Sequence, residues 1–182
     1  MLKIGYVGLG AMGSSLSKHL IGSYDLMVFD RNPTAVEALV ALGAKAARSG
    51  TELARICDVV VLCLPRTSDV NDALFGENGL AQGLSPGKLV IDQTSGIPRE
   101  TAAIAEKLAL LGVAMVDAPV SGGIPAAQNR KVTVIASGSD AAWATAEPVL
   151  LAMTNSVFRC GTRVGDGQAL KLVNNAIGAG YR

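Results

Sequence analysis

Residues 3–13 read KIGYVGLGAMG, a short β-prone run followed at once by a glycine-rich turn with the spacing G-x-G-x-x-G. Residues 14–21 have apolar positions that suit a helix, and a second apolar run, 26–29, is followed by Asp30. Asp30 lies seventeen positions after Gly13, where the second strand of a β-α-β unit should end. The glycine spacing alone would be weak evidence, but the strand, the helix and the acid at this distance together predict such a unit.

Each part of this stretch fits the binding of a dinucleotide. Gly8 permits the tight turn, Gly10 lacks the Cβ that would block a pyrophosphate, and Gly13 lets the helix lie close to the strand. The helix N-terminus offers unpaired N–H groups and the positive end of its dipole to the phosphates. The residues expected to contact the cofactor here are Gly8, Leu9, Gly10, Ala11, Met12 and Gly13.

Asp30 bears on the choice of cofactor. Its carboxylate would accept hydrogen bonds from the adenosine ribose hydroxyls, each worth about 1.5–3 kcal/mol, and would repel a 2′-phosphate. This favours NAD over NADP. Arg31 and Asn32 follow immediately and would offer a phosphate some compensation, so NADP is kept as the alternative.

Composition excludes several classes of function. The 182 residues carry a formal net charge of +1 with acids and bases scattered, which provides no electrostatic footprint for nucleic acid or anionic lipid. The longest apolar runs, such as residues 59–64, are too short to cross a bilayer. The N-terminus already forms a predicted core strand, so no signal peptide is expected there. Function must therefore come from a localised site.

The cysteines and the histidine suggest no metal site. Cys57, Cys63 and Cys160 lack C-x-x-C spacing and are expected to be reduced thiols of a cytoplasmic protein. His19 is the single histidine, which excludes a Ser-His-Asp triad or a multi-histidine metal site. We expect it on the solvated side of the first helix.

Apolar runs alternate with helical patterns along the chain, as in a parallel sheet covered on both faces. We expect strands at 3–8, 25–30, 44–46, 58–64, 88–92, 113–118, 132–137 and 155–159. We expect helices at 11–22, 33–42, 49–56, 67–74, 98–111 and 139–152, with start signals at Asn32, Ser49 and Ser139. The sequence therefore predicts an α/β fold with a doubly wound, mostly parallel Rossmann-type sheet.

The pattern changes after Gly161. A glycine-spaced turn leads into a helical pattern at 168–179, and the sequence stops at Arg182 in mid-helix. An apolar helix without a partner is either cut short or completed by another chain. We therefore expect a dinucleotide-binding domain at 1–163 and the start of an interdomain helix at 164–182.

Ligands of a doubly wound sheet bind along its carboxyl edge, so the residues after each strand are candidates for the site. Leu64-Pro65 ends one predicted strand, and its backbone is expected to pass beneath the cofactor. Residues 92–96, DQTSG, offer hydroxyl and N–H groups at a helix start, although the acid and hydroxyls would equally serve as a turn and a cap. Residues 117–123, DAPVSGG, end in a serine and two glycines whose N–H groups suit a carboxylate.

Lys171 and Asn175 form the fourth part of the predicted site. Positions i and i+4 share a helix face, so both side chains should point into the same space, with Asn174 one step round. A lysine beside a nicotinamide can give or take a hydroxyl proton while hydride moves at carbon, and desolvation should lower its pKa accordingly. An isolated helix lysine is more often solvated, but three neighbouring loops suited to a dinucleotide or an acid favour a functional role.

Residues 3–175 resemble the N-terminal NAD-binding domain of the β-hydroxyacid dehydrogenases. This family includes 3-hydroxyisobutyrate dehydrogenase, tartronate semialdehyde reductase and the 6-phosphogluconate dehydrogenases. The resemblance is carried by residues 8–13, 117–123 and 161–175. It implies an all-helical C-terminal domain, absent from this chain, that closes the active site and supports a homo-oligomer.

The resemblance also implies roles for individual residues. Lys171 would be the general acid/base, and Ser95 would lie beside the nicotinamide half of the cofactor. A small hydroxy-acid substrate would be held by Asn175 and by the loop Ser121-Gly122-Gly123.

Three positions depart from the family pattern. Gly96 follows Thr94-Ser95 where the family has a non-glycine residue. Arg130 occupies a position where glycine is common, and would add a positive charge near an acid substrate. If that turn needs a positive φ, Asn129 is expected to adopt it, because Asn tolerates the left-handed region. Ser137 replaces another frequent glycine.

The expected function is an NAD-preferring dehydrogenase or reductase acting on a small 3-hydroxy acid or 2-hydroxy-3-oxo acid. An NADPH-dependent enzyme of the same family is the nearest alternative. An imine reductase on a similar scaffold is a second, against which Lys171 argues. A non-catalytic dinucleotide-binding module is a third, of a different class.

Overall fold

The computed structural model describes residues 2–180, which form one sheet covered by helices. The strands are β1 (Lys3–Val7), β2 (Asp25–Phe29), β3 (Lys45–Ala46), β4 (Val59–Leu62), β5 (Leu89–Asp92), β6 (Ala114–Asp117), β7 (Val120–Ser121), β8 (Thr133–Ser137) and β9 (Ser156–Gly161). The α-helices are α1 (Ala11–Ser17), α2 (Pro33–Val40), α3 (Gly50–Ile56), α4 (Thr67–Phe75), α5 (Pro98–Ala109), α6 (Gly123–Gln128), α7 (Asp140–Met153) and α8 (Asp166–Gly180). Short 3₁₀ turns cover Lys18–Leu20 and Leu80–Gln82.

The strand order is β3-β2-β1-β4-β5-β6-β8-β7, with β9 paired to β8. The first six strands are parallel, β8 runs antiparallel to β6 and β7, and β9 is parallel to β8. The order 3-2-1-4-5-6 is that of a doubly wound dinucleotide-binding sheet, so the predicted α/β Rossmann-type fold is confirmed. The order reverses between β1 and β4, which places the ligand crevice at their carboxyl ends.

The core lies on both faces of the sheet. Val59 and Val61 belong to one buried apolar cluster, whereas Val60 and Leu62 belong to the other. Successive side chains of a strand point to opposite faces, so a strand buried on both faces must be apolar at every position. The run VVVL in β4 is fully buried for this reason.

The predicted helix starts form as expected. The side chains of Asn32, Ser49 and Ser139 each accept a hydrogen bond from a backbone N–H in the first turn of α2, α3 and α7. The first helix is shorter than predicted, because α1 ends at Ser17 and continues as a 3₁₀ turn. Two elements were not predicted, β7 and α6, which together occupy residues 120–128.

Two expectations about single residues were wrong. Arg130 itself adopts the positive φ, at 59°, whereas Asn129 has φ −107°. The guanidinium of Arg130 donates to the Leu151 carbonyl oxygen at 3.0 Å, near the end of α7. His19 is half-buried, not solvated, with Nε2 2.9 Å from the Ala127 carbonyl oxygen, and burial lowers the pKa of its imidazole.

Within residues 2–180, no helix is long and apolar enough to cross a membrane. In the same part of the chain, no group of three or more His, Cys, Asp or Glu side chains is placed to hold a metal ion.

Candidate active site at the carboxyl edge of the sheet

The glycine turn after β1 requires glycine at two positions and leaves space at the third. Gly8 has φ +93°, and a Cβ there would lie 2.3 Å from the Cys63 carbonyl oxygen. A Cβ on Gly13 would lie 1.9 Å from the Gly8 carbonyl oxygen, so any side chain would push α1 away from β1. A Cβ on Gly10 would meet nothing within 4 Å. The turn is therefore tight against the sheet and open in front of Gly10.

A cavity of about 740 Å³ lies in front of this turn. Its volume is within the range of small-molecule and cofactor sites. The predicted cofactor residues that line it are Gly8, Gly10, Ala11, Met12, Gly13, Asp30, Arg31, Leu64 and Pro65. The opposite wall comes from the start of α3, from α4 and from residues 77–80.

Asp30 joins the end of β2 to the glycine turn. Its Oδ2 accepts the Leu9 N–H at 2.6 Å, and its Oδ1 accepts the Asn32 N–H at 2.7 Å. A carboxylate has about four lone-pair positions, so both oxygens keep acceptor capacity for ligand hydroxyls. The Asn32 side chain is placed elsewhere, because its Oδ1 caps α2 by accepting the Thr34 N–H at 3.1 Å. Of the two residues after Asp30, only Arg31 reaches the cavity.

The loops after β4 and β5 are joined to each other. The Thr94 hydroxyl accepts the Leu64 N–H at 3.0 Å. Asp92 Oδ1 accepts the Thr94 N–H at 2.9 Å, which is the turn that the sequence left open as an alternative for this acid. Ser95, the next residue, is exposed on the loop.

Lys171 lies on the side of α8 that faces the sheet. It is 7% exposed, and burial lowers the pKa of its ammonium group below the usual value. Asn175, one turn further on, is exposed. The contact from α8 to the DAPVSGG loop is made instead by Asn174, whose Nδ2 donates to the Ser121 hydroxyl at 3.1 Å. The structure thus brings Asn174, rather than Asn175, to Ser121.

The two glycines after Ser121 adopt conformations that other residues rarely enter. Gly122 has φ +134° and Gly123 has φ +74°. Successive residues of this kind turn the chain sharply into α6, and side chains at either position would be strained. The conformation of this turn, and with it the direction of the Gly122 and Gly123 N–H groups, therefore depends on glycine at both positions.

Three buried polar side chains that sequence reasoning missed hold the start of α8. Asp117 accepts the N–H groups of Gly165 at 3.1 Å and Gln168 at 2.8 Å. The Ser137 hydroxyl donates to Asp117 and accepts the Gly167 N–H at 2.9 Å. Burial raises the pKa of the Asp117 carboxyl despite these hydrogen bonds.

Gln168 is the third of these side chains. Its Nε2 donates to the Thr94 carbonyl oxygen at 2.7 Å, and its Oε1 accepts the Gly96 N–H at 2.8 Å. An acid at the end of a buried strand, as in Asp117, is the one sequence signal that would have pointed to this cluster, since a buried carboxylate must find donors.

The chain is similar to several proteins named as dehydrogenases. The chain is 35% identical over 175 residues to L-threonate dehydrogenase of Cupriavidus necator, covering 96% of this chain and 59% of the relative. It is 36% identical over 178 residues to NAD-dependent L-serine dehydrogenase of Pseudomonas aeruginosa, covering 97% and 59%. The crystal structure of 3-hydroxyisobutyrate dehydrogenase from Salmonella typhimurium superposes with a TM-score of 0.89 at 35% identity, covering 96% of this chain and 61% of that one.

The chain spans about three fifths of the length of these relatives. Its family membership follows from a match that extends over most of the chain, from residue 3 to residue 161. The matching family is described as the NAD binding domain of 6-phosphogluconate dehydrogenase. The resemblance found in the sequence is therefore confirmed, and the chain belongs to the 6-phosphogluconate dehydrogenase type of NAD-binding domain.

Proposed function

We propose that the chain forms the cofactor-binding part of an NAD-preferring dehydrogenase for a small 3-hydroxy acid or 2-hydroxy-3-oxo acid. The observation that carries the proposal is the buried Lys171, with its lowered pKa, on the helix whose Asn174 contacts Ser121. The names of the relatives, among them L-threonate and 3-hydroxyisobutyrate dehydrogenases, support a hydroxy-acid substrate.

The residues around the cavity fit a dinucleotide. The open space at Gly10 would admit the pyrophosphate, and the free lone pairs of Asp30 would accept the ribose hydroxyls. Leu64 and Pro65, which line the cavity, would lie under the cofactor. By the family resemblance, Ser95 would lie beside its nicotinamide end. Bound NAD would supply the carbon that takes or gives up the hydride.

The substrate would lie between α8 and the DAPVSGG loop. The Ser121 hydroxyl and the N–H groups of Gly122 and Gly123 would receive its carboxylate. Asn175 would orient the hydroxyl-bearing carbon, and Lys171 would exchange the hydroxyl proton. Because its pKa is lowered by desolvation, Lys171 can lose its proton nearer neutral pH than a solvated lysine can. It could therefore both accept the proton of the substrate hydroxyl and return it.

The Lys171→Ala variant tests this assignment. In the full-length protein, turnover with a hydroxy acid and NAD should fall by about 10²–10⁴-fold while the NADH dissociation constant stays unchanged. The matched control is Lys3→Ala, which removes an exposed lysine at the amino end of β1, on the opposite edge of the sheet from the site. Retained turnover in Lys171→Ala would refute the proposal. If the unmodified full-length protein binds NADH but transfers hydride to no hydroxy acid, a non-catalytic dinucleotide-binding module is favoured instead.

The choice between NAD and NADP has its own test. Arg31 lines the cavity next to Asp30, which favours NADP as the one specific alternative. Dissociation constants for NADH and NADPH should rank NADH tighter, and Asp30→Ala should reverse or erase that order. A preference for NADPH in the unmodified protein would contradict the assignment to NAD. Transfer of hydride to an imine but to no hydroxy acid would instead favour the imine reductase alternative.

The remaining expectations concern the whole protein. We propose residues 1–163 as the dinucleotide-binding domain and residues 164–182 as the start of an interdomain helix. The 182-residue chain alone should bind NAD with little or no turnover. It spans about three fifths of the length of its relatives, so part of the substrate enclosure would be missing. The full-length protein is proposed to be cytoplasmic and to form a homo-oligomer. Size-exclusion chromatography with light scattering would test the oligomeric state.

A further inference from the structure

Gln168 connects the helix of Lys171 to the loop of Ser95. Its side chain is 1% exposed, and both ends of its amide are used. Nε2 donates to the carbonyl oxygen of Thr94, and Oε1 accepts the N–H of Gly96, so the amide spans the backbone on both sides of Ser95. We call residues 94–96 the Ser95 loop.

The backbone of the same residue is fixed independently. Asp117 accepts the Gln168 N–H, and the neighbouring Gly167 N–H donates to Ser137. The first N–H groups of a helix have no partner within the helix, so acceptors on β6 and β8 anchor this end of α8 to the sheet. Gln168 is therefore anchored to the sheet through its backbone and to the Ser95 loop through its side chain.

Little room exists for the loop to take another position. A Cβ on Gly96 would lie 2.6 Å from the Thr67 hydroxyl oxygen, 3.2 Å from the Thr101 hydroxyl oxygen and 3.5 Å from Gln168 Nε2. The loop backbone is thus packed directly against the side chain that holds it. Only a side chain with a donor and an acceptor at this length satisfies both Thr94 and Gly96.

Lys171 follows Gln168 by three residues, and side chains at this spacing lie on the same helix face. Both are buried against the sheet. One helical turn and one amide therefore set the separation between the Ser95 loop and the Lys171 ammonium group.

We propose that Gln168 is a positioning residue that holds the Ser95 loop in register with Lys171. The inference rests on the proposed function, in which Ser95 lies beside the nicotinamide and Lys171 exchanges the substrate proton. The hydrogen bonds of the Gln168 side chain go to the backbone of Thr94 and Gly96, so it acts by fixing the distance between the cofactor side and the proton-transfer side of the reaction.

The test compares Gln168→Met with Thr67→Val in the full-length protein. The first removes both hydrogen bonds to the Ser95 loop at nearly constant volume. The second removes the acceptor of the Ile97 N–H, a partly buried bond to the residue that adjoins the Ser95 loop, and this bond does not reach α8. We expect Gln168→Met to lower kcat by about 10- to 100-fold, with KM and the NADH dissociation constant within about threefold, because misplacement of reacting groups costs rate rather than binding. Thr67→Val should change kcat by less than about threefold.

Amide hydrogen exchange supplies a readout that needs no turnover. In the 182-residue chain, the Gly96 N–H should exchange at least about tenfold faster in Gln168→Met, whereas in Thr67→Val the Ile97 N–H should be the one that accelerates. If Gln168→Met is too unstable to assay, Gln168→Asn, which is one methylene too short to make both bonds, should give the same pattern.

The outcomes separate the two proposals. An unchanged kcat in Gln168→Met, with Lys171→Ala inactive, would overturn the positioning role alone. An equal loss of kcat in Thr67→Val would also overturn it, because general loosening of the loop would then suffice. Full activity in Lys171→Ala would overturn the proposed function, and the positioning role with it.

Discussion

The Asp92→Asn substitution should remove much of the pH dependence of the protein's stability. Asp92 ends β5, is 1% exposed, and its Oδ2 has no hydrogen-bond partner among the described residues. Burial raises the pKa of its carboxyl to about 7, against the hydrogen bonds from Thr94 that lower it, and the neighbouring Asp117 raises it further. Ionisation of this side chain therefore lowers the free energy of unfolding as the pH rises toward and above neutrality.

The magnitude follows from the difference between the folded and unfolded pKa values. A carboxyl whose pKa rises on folding stabilises the fold fully below the unfolded pKa, and that contribution is lost as pH rises through the folded pKa. A rise from 3.8 to about 7 is about three pH units, equivalent to about 4 kcal/mol in the free energy of unfolding. An asparagine stays neutral and keeps an oxygen for the Thr94 N–H. Relative to the wild type, the variant should therefore gain about 4 kcal/mol between pH 4 and pH 8.

Urea denaturation at several pH values in this range measures the effect, with the fluorescence of Trp143, the single tryptophan, reporting unfolding. Taking the difference between the two proteins at each pH removes the contributions of titrating groups that do not interact with Asp92, such as His19. Glu106→Gln, which neutralises an exposed carboxylate, serves as the control and should follow the wild-type profile. Parallel profiles for wild type and Asp92→Asn would refute the reasoning.

Further predictions concern the glycine turn and a lysine far from it. Gly10→Ala should leave stability unchanged but weaken NADH binding at least about tenfold by isothermal titration calorimetry, because its Cβ meets only the cavity. Gly13→Ala should instead cost about 1–3 kcal/mol of stability in urea, because its Cβ would lie 1.9 Å from the Gly8 carbonyl oxygen; the opposite ranking of the two variants would contradict both assignments. Lys88→Met should lower the free energy of unfolding by about 1–3 kcal/mol, since Lys88 Nζ donates to three carbonyl oxygens at the end of α3, at 2.5–2.8 Å; an equal loss in Lys131→Met would count against this.

The sheet could be predicted from the sequence because its signals are local. The apolar run in β4, the glycines of residues 8–13 and the helix start at Asn32 each act through neighbours in the chain. Residues 120–128 were missed because a two-residue strand and a six-residue helix are too short to show a periodic pattern. Their structure comes from pairing with β8 and from the glycine turn between them.

The turn at Arg130 was assigned to the wrong residue for a related reason. Local preference favours Asn in the left-handed region, yet Arg130 is held there by contacts with distant residues. Its guanidinium binds the Leu151 carbonyl oxygen, and its own carbonyl oxygen accepts the Asn155 N–H at 3.3 Å. Tertiary contacts of this kind outweigh a local preference and leave no trace in the adjoining sequence.

The candidate site was predictable in its loops but not in its supports. Glycine spacing and strand ends indicate where the loops lie. The bonds that fix α8 join residues far apart in the chain, 51 positions between Asp117 and Gln168 and 74 between Thr94 and Gln168. These bonds also set the rotation of α8 about its axis. Because they join residues far apart in the chain, the sequence did not indicate that Asn174, rather than Asn175, would contact Ser121.

The two bonds of Asp30 to Leu9 and Asn32 have a consequence for the speed of cofactor binding. The bond to Leu9 holds the glycine turn to the end of β2, and the bond to Asn32 fixes the Asp30 carboxylate in its own loop, so the turn does not have to fold around a ligand. Docking on a preformed turn has a small ordering cost, because the turn loses little conformational freedom when the cofactor binds. Discrimination between NADH and NADPH should then reside in how quickly each leaves, and stopped-flow measurements should find similar association rates but different dissociation rates.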